Sequence, residues 1–136
     1  MIGDAAWGRG LAELVQALPG AAADDQAALL RKGFGAIADA AALNPAFFAD
    51  LPSTQRFETL LASGAFESAA VAVIPAHAGY MLSRGGNGRH IGSVFMTGCG
   101  EHTVEGNTAA LSIMAAMLSA CHALLTLQTG PGELLN

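Results

Sequence analysis

The sequence predicts an α+β fold: a helical N-terminal half of three helices, a small antiparallel β-meander or hairpin, and a long apolar C-terminal helix packed on the sheet. Three observations carry this reading. Apolar residues recur at spacings of three and four up to about residue 63; short apolar and β-branched runs, punctuated by proline and glycine, occupy residues 69–97; and Thr108 to Leu127 is apolar almost throughout. The whole chain reads as one domain, with a helical segment over 1–66, antiparallel strands over 69–97, a helix over 107–127 and a flexible tail over 128–136. It shows no internal repeat and no linker.

The first helix spans Ala5 to Leu18, with Leu11, Leu14, Val15 and Leu18 as one apolar stripe, and Pro19-Gly20 stops it. Asp24 and Asp25 supply an N-cap and a favourable charge to the second, which runs to about Leu43 with Leu29, Leu30, Phe34, Ile37 and Ala41 inward. Asn44-Pro45 ends it, because the residue before proline avoids helical geometry. Gly33 and Gly35 in its middle imply either close packing against another element or a break. Pro45 to Leu51 offers one short helical turn, and Ser53 or Thr54 caps a third helix through about Ser63 that buries Phe57, Leu60 and Leu61.

The run Ala69 to Ile74 reads as a strand interrupted by Pro75, Tyr80 to Ser83 as a second, and His90 to Thr97 as a third. Gly85-Gly86-Asn87-Gly88 turns the chain between the last two. These make a three-strand meander, or one long hairpin if Pro75 marks only a bulge. Gly98-Cys99-Gly100 closes the sheet, and Asn107 or Thr108 caps the last helix, with Glu105 near its positive end. That helix is apolar around its circumference, so it must be covered on both sides, by the sheet and by either the N-terminal helices or a partner chain.

Composition narrows the function classes. The apolar fraction is 52%, while charged residues make up only 12%, about half the usual share. So few charges leave little to cover a monomer's surface, which points to self-association. The net charge is −5 with six Lys and Arg in all, which excludes the basic stripe that a nucleic-acid backbone requires. Thr108 to Leu127 has the length of a membrane span, but six of its twenty residues are alanine and His122 lies within it, so a buried helix is expected and no membrane partner. Met1 to Gly10 lacks the basic start and apolar run of a secretory signal, and Cys99 and Cys121 form no CxxC pair. Free thiols in a reducing cytoplasm follow.

A glycine-rich hairpin, an acidic turn, and then Glu105-Gly106-Asn107-Thr108-Ala109-Ala110-Leu111-Ser112-Ile113 opening an Ala/Leu helix resemble the small bacteriophage ABA-sandwich domain over residues 70 to 126. The resemblance implies an αββα topology and a prophage-like ancestry. It transfers no catalytic residue, and the helical first half has no counterpart in it.

Reactive groups concentrate in Cys99-Gly100-Glu101-His102-Thr103-Val104-Glu105. A thiol three residues from an imidazole, just before a helix start, could be activated as a nucleophile, which would require a depressed Cys99 pKa. The plainer reading is a small turn cysteine and a solvated loop histidine, because no third residue that would orient His102 can be named. Cys99 and His102 also have metal-ligand spacing, with His77, His90 or Glu101 as possible completions. A specific zinc signature needs two paired motifs, so no metal and no cofactor are expected. Arg84, Arg89 and His90 flank the glycine turn and could hold one anion, but a phosphate loop should open a helix and this one joins two strands. His122, beside Cys121, reads as a buried, hydrogen-bonded histidine; Trp7 and Tyr80 as core or interface anchors; Met96, Met114 and Met117 as gap fillers. The expected function is a non-enzymatic, oligomeric structural or interaction module of bacterial or phage origin. The alternative is a small-molecule-binding protein or enzyme using the Cys99–His102 loop.

Overall fold

The computed structural model describes the backbone of residues 2–134 and the side chains of residues 8–126. Five helices and three strands follow in the order α1 (Ile2–Ala17), α2 (Gln26–Leu43), α3 (Thr54–Ala62), α4 (Phe66–Ala72), β1 (Gly79–Arg84), β2 (His90–Met96), β3 (Gly100–Gly106) and α5 (Ala109–Leu134). The strands form an antiparallel meander in the order β1-β2-β3. Gly79 pairs with Phe95 and Arg84 with His90 in the first pair of strands; His90 pairs with Gly106 and Met96 with Gly100 in the second.

The helical half keeps its expected order. Pro19 stops α1 within a 3-10 turn, Leu18–Gly20. A second 3-10 turn, Ala23–Asp25, leads into α2, so the Asp25 side chain makes no cap bond; the Gln26 amide donates instead to the carbonyl of Ala23. At α3 the Ser53 hydroxyl does cap, accepting from the Arg56 amide at 3.1 Å. Gly64, at φ +77°, lets the chain leave α3, and the amide of Ala65 closes onto the Leu60 carbonyl.

Two of the three strands are the expected ones, and the third is not. Ala69 to Ile74 is not a strand: Phe66–Ala72 is α4. Phe66, Ala69, Ala70 and Val73 are spaced i, i+3, i+4, i+7, and the last three are buried, so the helical period decides a run too short to be settled by composition. The third strand is Gly100–Gly106, which alternates half-buried His102 and Val104 with exposed Glu101, Thr103 and Glu105. Gly98-Cys99 therefore turns the chain from β2 to β3 and does not close the sheet; the Cys99 amide donates to the Met96 carbonyl at 3.0 Å.

Thr108 caps α5 through its hydroxyl, which accepts from the Leu111 amide at 3.1 Å. The helix extends through Gly130-Pro131-Gly132 to Leu134, within the segment expected as a tail from Thr129; Pro131 has no amide to donate to the Leu127 carbonyl, so the ladder lacks that bond. Residues 135 and 136 of that expected tail lie outside the described residues, as does the Trp7 side chain.

In three layers, the sheet lies on one side of α5 and α1, α2 and α4 lie on the other. Every residue from Ala110 to Leu118 is buried, so the chain itself covers the helix on both sides. Ala109–Thr126 has the length and apolarity of a membrane span, yet 61% of it is buried inside the protein, as in a core helix. Glycines bring the layers together: Gly33 of α2 backs onto Met114, while Gly92 and Gly106 of the sheet back onto Ser112 and Ile113. Gly33 thus follows the close-packing expectation, Gly35 does not, having nothing within 4 Å of where its Cβ would stand, and α2 is unbroken.

Candidate functional site

Even-numbered residues of the meander face α5, as the contact of Gly92 with the Ile113 backbone fixes; odd-numbered ones face away. His102 is therefore not a solvated loop residue. Its Nε2 lies 2.9 Å from the carbonyl oxygen of Cys99 and its Nδ1 3.0 Å from Ser119 Oγ on α5. A carbonyl can only accept, so Nε2 carries the proton, and in the neutral ring Nδ1 accepts from the Ser119 hydroxyl. The imidazole thus meets the backbone of Cys99 and pins the β2–β3 turn onto α5. Ser119 is the residue that sequence reading missed, because its position in an apolar helix carried no local signal of an aligned partner 17 residues away.

Cys99 is half-buried, and burial raises its pKa, the opposite of the shift that an activated nucleophile needs. Cys121 is buried on α5, and desolvation, with a smaller contribution from Cys99, pushes it up to about 12. Alkylation by iodoacetamide is expected to modify Cys99 slowly, along a pH profile displaced above that of a free thiol, and to spare Cys121 until the protein unfolds. The sign for stability follows from the same shift. A thiol held neutral by burial keeps its proton more tightly in the folded state, so its contribution is intact below the ordinary value of 9.0 and is lost as pH rises toward about 12. Fast Cys99 alkylation at neutral pH, read by mass spectrometry, would reverse the assignment.

Of the three cationic candidates, two come together and one does not. Arg84 and His90 pair across β1 and β2 at the hairpin end. Arg89 is spent on structure: it donates to Asn107 Oδ1 at 3.3 Å and to the Pro19 carbonyl at 3.1 Å, and its Nε lies 3.3 Å from Glu105 Oε1. With Asn107 donating to the Ala21 carbonyl, it ties the hairpin to the α1–α2 connection. Glu105 is thus an ion-pair partner on the sheet surface as well as a residue near α5. The glycine turn is the expected hairpin, closed by the Gly85 amide on the Arg89 carbonyl at 2.8 Å, with Gly88 at φ +82°. His77 sits against Phe47, its Nε2 3.2 Å from that residue's carbonyl, and Glu101 lies on the face away from α5. His122, expected to be buried, is exposed: it shares a helical face with buried Leu111, Ala115 and Leu118 but lies a turn beyond the stretch Ala110 to Leu118 in which every residue is buried.

No family model, curated protein or solved structure matches this chain.

An open groove of about 590 Å³ lies between α1 and α2, rimmed by Glu13, Lys32 and Asp39. The face of the sheet away from α5 exposes Met81 with half-buried Ile91 and Phe95 around the hydrogen-bonded Ser93 and Thr103 hydroxyls. Two of the three large apolar side chains left exposed among the described residues, Tyr80 at 45% and Met81 at 59%, are neighbours on β1.

Proposed function

We propose that this protein is a non-enzymatic interaction module that works as a homo-oligomer, a dimer or larger, in the cytoplasm of a bacterium or phage-infected cell. The observation that supports the reading is β1, an edge strand that projects beyond α5 and holds Tyr80 and Met81 in water. The low charge content supports it as well. The apolar circumference of α5 does not, since the chain covers that helix by itself. The phage-related origin rests on the ABA-sandwich likeness alone, and the observed order α4-β1-β2-β3-α5 has one strand more than the αββα that the likeness implies. Native mass spectrometry with light scattering on the purified full chain is expected to give a dimer or higher species; a strict monomer at high micromolar concentration would remove the proposal.

One contact favours a second reading, an enzyme at the Cys99–His102 loop. The Ser119 hydroxyl donating to His102 is the pairing of a serine nucleophile with its base. Labelling of Ser119 by a fluorophosphonate, lost in His102→Gln, would carry that reading and displace the first.

A further inference from the structure

We infer that the partner at β1 is a second copy of this chain, added edge to edge and antiparallel about a two-fold axis through Leu82. This rests on the self-association proposed above and adds the surface and the register. The backbone decides which residues can pair. The Gly85 amide donates to the Arg89 carbonyl, so Gly85 and Arg89 form a hydrogen-bonded pair. Such pairs alternate along an antiparallel ladder. In the observed register the pairs that exchange bonds are then Ser83 with Ile91, Met81 with Ser93, and Gly79 with Phe95. The amides and carbonyls of Tyr80, Leu82 and Arg84 consequently point away from β2, at the free edge.

A second β1 must present its own even-numbered residues to that edge, and partners in a regular ladder share a face. A two-fold axis through any residue of the strand satisfies both conditions. Only the axis through Leu82 uses all three free residues within the strand: Leu82 faces its own copy and Tyr80 faces Arg84, twice over. That register sets each Arg84 guanidinium beside a Tyr80 ring, a favourable cation–π arrangement, and keeps the two arginines apart. On the outer face it brings Met81 beside Ser83 and diagonal to the other Met81, withdrawing from water the most exposed apolar side chain described.

The other surfaces fit a second copy less well. The free edge of β3 carries Glu101 and Glu105, which would meet like charges, and the 3-10 turn Leu18–Gly20 packs against that strand. Stacking two sheets by their outer faces would bring the same glutamates into one interface. The β1 edge has no proline, bulge, lysine or acidic residue to deter pairing, and among the described residues no other strand pairs with it. The product is a six-stranded sheet, β3-β2-β1-β1-β2-β3, with both α5 helices on one face.

Cross-linking in a Cys99→Ser background tests the register. Leu82→Cys is expected to give a disulfide-linked dimer under mild oxidation, because facing Cα atoms lie about 5.5 Å apart, within disulfide range. Tyr80→Cys is expected not to, since its own copy would be displaced by four residues, more than about 13 Å along the strand. Tyr80→Pro removes an amide that points at the free edge and takes no bond from β2, so it should raise the dimer dissociation constant at least about ten-fold while leaving the circular dichroism spectrum of the monomer unchanged. An oligomer that ignores Tyr80→Pro, or one that cross-links through Tyr80→Cys and not Leu82→Cys, overturns this interface and leaves self-association standing. A monomer at every concentration overturns both.

Discussion

Gly92→Val is expected to prevent folding, and Gly92→Ala to cost about 3 kcal/mol or more, at the upper end for overpacked cores. A Cβ on Gly92 would lie 2.6 Å from the Ile113 nitrogen and 2.7 Å from both the Ile113 Cα and the Ser112 carbonyl carbon. All three are backbone atoms of α5, so no rotamer relieves the contact. The helix cannot retreat either, because α1, α2 and α4 close its other side. Gly33 gives the comparison. There a Cβ meets Met114 Sδ at 2.8 Å and Cγ at 2.9 Å, atoms of a flexible side chain that can turn aside, so Gly33→Ala should cost about 1 kcal/mol. Gly106→Ala falls between, with the Ser112 backbone at 3.1–3.2 Å. Urea unfolding of the three alanine variants orders them 92, 106, 33 from most to least damaging. Equal midpoints for Gly92→Ala and Gly33→Ala would mean that the sheet and α5 slide past each other freely.

The same glycines mark the boundary of what could be read from the sequence. Gly33 announced itself, since a glycine inside an amphipathic helix needs a packing reason. Gly92 did not, because a glycine in a strand is equally suited to a bulge or a bend. The helices α1, α2, α3 and α5 were legible from apolar spacing and from stops such as Pro19 and Asn44-Pro45. The exchange of one strand for another has a physical cause. Val71, Val73 and Ile74 gave Ala69–Ile74 a β composition, while the deciding contacts, Ala69 and Ala70 against the helical layer, are long-range. Glu101, Thr103 and Glu105 hid β3 behind a polar face, although the alternation with His102 and Val104 was present to be counted. Of the candidate site, the closeness of Cys99 and His102 was legible; the helix start expected beside them lies at the far end of β3, and the segment meets α5 at Ser119 instead. The hydrogen bonds that define the site were not legible: Ser119 and the Cys99 carbonyl reach His102 only once the turn folds onto the helix.

Phe57→Ala is expected to cost about 3–5 kcal/mol, whereas Glu58→Ala, one residue away on the same α2–α3 contact, should cost less than about 1 kcal/mol. Phe57 has no exposed surface, and its ring stacks on Phe34 with centroids 4.3 Å apart and planes 15° from parallel. Truncation removes the apolar burial, leaves a cavity, and forfeits a ring pair worth about 0.5–1.5 kcal/mol beyond its area. Glu58 holds Arg31 at 2.8 Å, a short contact, but the side chains are 42% and 51% exposed, so water and salt screen the pair and ordering two long side chains offsets much of the attraction. Guanidinium unfolding of the two single variants checks the ranking, and a cycle with Phe34→Ala isolates the ring pair. A Glu58→Ala loss as large as that of Phe57→Ala would show that charge fastens α3. In a chain whose buried polar side chains among the described residues are two serines, apolar contact is the term large enough to do so, and sodium chloride should shift the midpoint of the unaltered protein little.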